Sequence, residues 1–226
     1  MKKISLLVCV LLSTVLLAAG KTPRSYTLPS PDGTLEVTVT VDETLSWSLS
    51  SRGKLLLAPS AIGLELSDGT VLGGKAVKKT LPPVDREVEA QVYKKACVQE
   101  RYNAMTLSFK NFDVEFRAYE EGAAYRIVPK VKGPFRIAKE TAAFTLPADG
   151  PAWIPYVNGT APGDPFATSF ESLYSHSALS AWESGRLAFL PILVQSGDKK
   201  LLFTESGLTN YPGMFLCGEG TTPSCL

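Results

Sequence analysis

A two-residue alternation of apolar and polar side chains runs through this sequence and restricts the secondary structure it can form. In "TLEVTVTVD", Leu35, Val37, Val39 and Val41 share one parity while Glu36, Thr38 and Thr40 share the other. Successive side chains of a strand point to opposite faces, so this run reads as a half-buried antiparallel strand. After a short turn at Asp42-Glu43 the pattern returns in "LSWSLS" with Leu45, Trp47 and Leu49, which predicts a hairpin. "IGLELSDGT" alternates Ile62, Leu64 and Leu66 before an Asp-Gly turn at Asp68 and Gly69. "MTLSF" aligns Met105, Leu107 and Phe109, and "FDVEFRAYEEGAAYRIV" alternates through Phe112, Val114 and Phe116 before turning at Glu121-Gly122. Two further apolar runs in "LAFLPILVQSGDKKLLFTE" flank a Ser-Gly-Asp turn, and Pro191 predicts an edge or a bulge in the first of them.

Helical periodicity is missing beyond the N-terminus, and "SALSAWESG" supplies one helical turn at most. The expected class is all-β, with antiparallel sheets packed on each other to bury their apolar faces. Between residues 147 and 184 the alternation gives way to Pro, Gly, Ser and aromatic residues. Long irregular segments on a sheet scaffold are more often functional or partner-facing than filler.

The first 20 residues place Lys2 and Lys3 ahead of an apolar stretch that ends in Ala18, Ala19 and Gly20, the order of a secretory signal cleaved before Lys21. Export to the periplasm or the extracellular space is expected, with no stable membrane insertion after cleavage. Removing Lys2 and Lys3 from 23 basic residues leaves 21 against 22 acidic ones, which gives no electrostatic case for nucleic acid or an anionic membrane as partner. The remaining cysteines, Cys97, Cys217 and Cys225, have no metal-finger spacing. Cys217 and Cys225 could close a small loop.

Catalytic motifs are scarce. His176 stands alone, without a Gly-x-Ser-x-Gly elbow, which argues against a nucleophile-base triad and against multi-His zinc. Gly73, Gly74 and Lys75 lack phosphate-loop spacing and read as a turn. Glu36, Glu65, Asp113 and Glu115 alternate with apolar residues and read as solvated strand faces. Glu205 differs, because it shares parity with Leu201 and Phe203 and points inward if they do. An inward carboxylate needs a cation, a cluster of donors or a ligand, so Glu205 is the candidate metal or substrate residue. Trp47 has core parity, whereas Trp153 and Trp182 fall in the irregular segment, where exposure is expected, although an aromatic between prolines is more often packing than a sugar platform.

Several separated stretches together resemble one known family. "LPSPDGTLEVTVTVDETLSWSLSSRGKLLLAPSAIGLEL", "ERYNAMTLSF", "FRAYEEGAAYRI" and "LLFTESGLTNYPGMFL" are similar to the N-terminal domain of glycoside hydrolase family 97, in order and over residues 26 to 216. The resemblance implies an antiparallel β-super-sandwich of the galactose-mutarotase kind, preceding a (β/α)8 catalytic barrel and a small C-terminal β domain. It further implies an exported α-glucosidase or α-galactosidase acting on carbohydrate, often with calcium, whose acid and base lie in the barrel. The Thr-Glu dipeptide of that domain lends one carboxylate to the calcium, and Glu205 is the matching position. No stretch here resembles the barrel, so the chain by itself is expected to be non-catalytic. The sandwich is expected to be incomplete at the C-terminus, and "CGEGTTPSCL" (217 to 226) to be an unstructured tail. The expected organisation is therefore a signal at 1–20, a sandwich at 21–216 and that tail. A stand-alone exported module that binds carbohydrate or protein through residues 147 to 184 is the alternative.

Overall fold

The alternating runs pair in the registers that their turns impose. The computed structural model describes residues 23–159, 162–209 and 211–225, so the signal and its cleavage point lie outside the described residues. The first half of the chain forms β1 (Arg24–Pro29), β2 (Leu35–Val41), β3 (Leu45–Ser51), β4 (Lys54–Leu66), β5 (Val77–Thr80), β6 (Val84–Glu89), β7 (Cys97–Ser108), β8 (Phe112–Tyr119) and β9 (Ala123–Pro129). The second half adds β10 (Ile137–Ala142), β11 (Pro151–Ile154), β12 (Ser175–Ala178), β13 (Leu187–Ala188), β14 (Ile192–Ser196), β15 (Lys199–Phe203), β16 (Leu216–Cys217) and β17 (Ser224–Cys225). A single 3-10 turn, Leu179–Ala181, is the only helical element among the described residues. None of their helices is long and apolar enough to cross a membrane.

The strands build antiparallel sheets. The first runs β1-β2-β3-β4-β10 and the second β5-β7-β8-β9, with β6 also on β7. A third runs β12-β11-β14-β15 and a small fourth β13-β16-β17. In the β2–β3 hairpin Val37 faces Leu49 and Val39 faces Trp47, so the predicted apolar parity becomes one buried face. The facing surface of the second sheet supplies Met105, Leu107, Phe112 and Phe116, all essentially solvent-free. Each such side chain contributes about 1.5–3 kcal/mol by leaving water. Trp47 sits at the contact, edge-on to Tyr125 at 5.6 Å. Its buried Nε1 has no hydrogen-bond partner among the described residues.

Two expectations are corrected. Residues 217 to 225 are not an unstructured tail: Phe144 N–H donates to Pro223 O and Leu146 N–H to Thr221 O, each at 2.9 Å. Those amides follow β10 with no strand beside them, and the returning chain satisfies them. Gly218 permits this return, since a Cβ there would lie 2.3 Å from the Trp182 ring. Cys217, whose pairing the sequence left open, is a buried free thiol with Ser224 as its register partner. Finally, Pro191 marks neither an edge nor a bulge. It precedes β14, a strand paired on both sides by β11 and β15, and the Leu190–Pro191 peptide is cis. Placing the proline just before the strand costs the ladder no amide donor.

Candidate functional site

The last long strand decides where Glu205 points. Leu201 and Phe203 of β15 are half-buried and pack on the core, whereas Leu202 is 58% exposed. Parity therefore carries Glu205 toward the inner side, just past the strand end. Its side chain is half-buried, and its Oε1 accepts the Met214 N–H at 2.8 Å. That bond closes the loop between residues 205 and 214. Oε2 makes no hydrogen bond among the described residues.

A second carboxylate enters the same place, and the sequence pattern missed it. Glu140 of β10 faces Leu64 across the sheet, because the register shifts between Ile137 and Lys139. The irregularity reverses the parity of the strand, so Glu140 follows Ile137 onto the inner face. Tyr211 OH, from the loop that Glu205 closes, donates to Glu140 Oε2. Glu140, Glu205 and Tyr211 line one open cleft of about 2460 Å³, whose apolar wall includes Trp47, Leu57 and Phe203. That space exceeds a small-molecule pocket of roughly 300–1,000 Å³. It suits polypeptide or an extended ligand better than a single small one.

A hard cation fits Glu205 as one ligand among several. The carboxylate offers an oxygen free of hydrogen bonds among the described residues, on a side chain held in place by a backbone amide, and calcium takes oxygen donors. No group of three or more His, Cys, Asp and Glu side chains comes together as a metal site among the described residues. The other oxygens of a calcium shell would therefore have to come from outside this set.

The remaining candidates are structural. His176 stacks on Trp153 at 4.5 Å, with the planes 10° apart. Lys200 approaches the same indole at 4.9 Å. His176 comes from the β12 side of β11 and Lys200 from beyond β14, so Trp153 is flanked from both directions and is no open sugar platform. Trp182, expected to be exposed, is buried and donates its Nε1–H to Arg186 O at 2.7 Å. The Arg186 guanidinium lies 4.0 Å over the Tyr156 ring. Burial pushes the Tyr156 phenol above its ordinary range, and Arg186 opposes that shift in part. Asp149 is held below the usual carboxylate range by the Ser180 hydroxyl and then by the Ser180 amide, which ties the start of the irregular segment to its end. Within residues 147 to 184 the short strands β11 and β12 are regular structure that the alternation did not reveal. Of the strand-face acids, Glu36 and Glu65 are exposed as expected. Asp113 and Glu115 are half-buried and paired with Lys130 and Arg126.

Comparison with known proteins gives a consistent picture. The profile of the family described as Glycosyl-hydrolase 97 N-terminal matches residues 28–224. A retaining alpha-galactosidase of Bacteroides thetaiotaomicron is 40% identical over 223 residues, covering 96% of this chain and 33% of that protein. This chain thus spans about a third of that curated relative. Among solved structures, a beta-arabinopyranosidase superposes with a TM-score of 0.78 at 21% identity, over 89% of this chain and 35% of that one. A Glycoside Hydrolase Family 97 enzyme of Pseudoalteromonas sp. strain K8, in complex with acarbose, gives a TM-score of 0.70 at 21% identity, over 89% and 31%. These superpositions establish the fold.

Proposed function

Because the chain belongs to the Glycosyl-hydrolase 97 N-terminal family, we propose that it serves as the non-catalytic β-sandwich domain of an exported α-glycosidase, an α-galactosidase before an α-glucosidase. In this reading the domain helps to complete a calcium-containing carbohydrate site, and Glu205 is its contribution. The supporting observation is the Glu205 carboxylate itself: half-buried, oriented by the Met214 amide and with one oxygen that no described residue engages, beside an open cleft. The name of the 40% identical relative favours the galactosidase. Calcium, when bound, supplies a fixed positive charge that orients substrate oxygens and stabilises developing negative charge. This chain's part is to present one carboxylate oxygen at a fixed place and to keep it desolvated enough to bind. The acid and base of glycoside hydrolysis belong to the remainder of the polypeptide. The charge and apolar order of residues 1–20 supports export.

The test joins this chain to the remaining two-thirds of the Bacteroides relative and titrates calcium by calorimetry. Glu205→Gln keeps the shape of the side chain and loses its charge. It is expected to weaken calcium binding roughly tenfold or more, about 1.4 kcal/mol at least, with an unchanged circular dichroism spectrum. The chain alone should bind calcium weakly and should not hydrolyse aryl α-glycosides. Undiminished calcium affinity in the substituted fusion would remove Glu205 from the site, and tight binding by the chain alone would remove the need for a second polypeptide.

A further inference from the structure

The hairpin of β6 and β7 runs past the end of the sheet that carries it. β7 pairs with β8 only from Tyr102, opposite Tyr119, to Ser108, opposite Asp113. Its first residues, Cys97 to Arg101, have β6 on one side and no strand on the other among the described residues. Bonding groups alternate sides along an antiparallel strand. Where the β7–β8 ladder closes, Phe109 N–H donates to Phe112 O, and where the β6–β7 ladder closes, Ala90 N–H donates to Ala96 O. Odd-numbered residues of β7 therefore bond toward β8 and even-numbered ones toward β6. The N–H and C=O groups of Cys97, Gln99 and Arg101 consequently face the open side, beyond the end of β8.

The two edges of this hairpin treat a second copy differently. On β6 the outward residues are Asp85, Glu87 and Glu89, so a two-fold axis through Arg86, Glu87 or Val88 sets acid against acid. Like charges directly opposite repel, and that edge is protected. The β7 edge is not. Glu100 is paired with Arg86 and Arg117, and Arg101 with Asp85 and Glu120, all inside one chain. An axis through Val98 sets Cys97 opposite Gln99 of the copy and Val98 opposite Val98, with no charge opposed to its like. Val98 already faces Val88 across the hairpin, and the two are 41% and 38% exposed. Pairing lines up four valines in one row over four strands. It also carries the hairpin tip, with the exposed Lys94 and Lys95, toward the copy's β8–β9 turn, with the exposed Glu120 and Glu121. The two-fold makes that attraction twice.

We propose that two copies of this chain associate through the Cys97–Arg101 edge of β7, antiparallel, about a two-fold axis at Val98. The inference is independent of the glycosidase reading. The surface is self-complementary, as a two-fold interface requires. One short strand pair buries less than the roughly 1,200 Å² of a stable complex, so the dimer is weak and forms with rising concentration.

Sedimentation velocity of the chain over a roughly hundredfold range of concentration is expected to show monomer passing to dimer. Val98→Lys sets two lysines against each other at the axis, and the exposed position leaves the melting temperature unchanged. It is expected to raise the dimer dissociation constant about tenfold or more. Lys95→Glu should weaken the dimer as well, and adding Glu121→Lys to the same chain should restore it, which a merely structural effect would not do. Cross-linking reads the register. Diamide takes two electrons and two protons from a pair of thiols, and the disulfide that forms needs Cα atoms about 4.4–6.8 Å apart. Opposed bonded residues sit at about 5.5 Å, so Gln99→Cys is expected to give a dimer joined to Cys97 of the copy. In the parent the two Cys97 residues are diagonal neighbours at about 7–8 Å, and no cross-link is expected. A chain that stays monomeric throughout would overturn the proposal, and so would a dimer indifferent to Val98→Lys. Cross-linking of the parent through Cys97, without any in the Gln99→Cys variant, would move the axis off Val98 and overturn it too.

Discussion

Glu140 and Glu205 engage the same loop, one through a side chain of the loop and the other through its backbone. Glu205 takes the Met214 amide, and Tyr211 gives its hydroxyl to Glu140. The Glu205 carboxylate, proposed as a metal ligand, is therefore positioned by a hydrogen bond that depends on where residues 211 to 214 sit. Those residues are tied in turn to an edge strand of the first sheet. Removing one such charge-assisted bond costs about 1–2 kcal/mol, a factor of roughly five to thirty in a local opening equilibrium. Tyr211→Phe keeps the ring and deletes the donor. Amide exchange at Met214, followed by mass spectrometry or NMR, is expected to accelerate by that factor, while amides of β2 and β8 keep their rates. Unchanged exchange at Met214 would show that the loop holds Glu205 without Tyr211.

At the scale of elements, legibility followed the locality of the signal. The β2–β3, β8–β9 and β14–β15 hairpins were readable because period-two patterning and turn residues lie within one short stretch, and their registers match it. Glu205 was readable for the same reason, by parity with Phe203. Glu140 was not, because the irregularity between Ile137 and Lys139 flips the parity and nothing in "IAKETA" announces it. β13, β16 and β17 are two residues long and have no period to detect, and β13 pairs with β16 across a long stretch of chain. Leu202 shows what the edge of β15 leaves open. It is exposed, and among the described residues β15 pairs with β14 alone, so its other side is a sheet edge. Charged residues, lysine above all, protect such edges from pairing with other chains. Leu202→Lys is expected to reduce light scattering during refolding several-fold while changing equilibrium stability by about 0.5 kcal/mol or less. Equal scattering by both proteins would mean that aggregation starts elsewhere.

At the scale of the whole molecule, four sheets share one interior. Val39 of the first sheet, Phe116 of the second, Ile154 of the third and Leu216 of the fourth all belong to a single cluster of buried side chains. The four sheets contribute to one contiguous cluster, so opening one sheet exposes the apolar face of another. Cooperative unfolding is the physical consequence. Net stability of a domain is about 5–15 kcal/mol, so the loss of one large core side chain removes a sizeable share of it. Phe116→Ala should cost about 3–5 kcal/mol and Ile154→Ala about 2–5 kcal/mol. The two residues lie in different sheets, yet each substitution is expected to lower the midpoint of the same single transition. Near-ultraviolet dichroism, which reports the buried Trp47 and Trp182, should lose its signal together with the far-ultraviolet strand signal in the parent and in both variants. If Phe116→Ala shifted one transition and Ile154→Ala a second, the third and fourth sheets would be a separate folding unit, and the shared cluster would be contact without cooperativity.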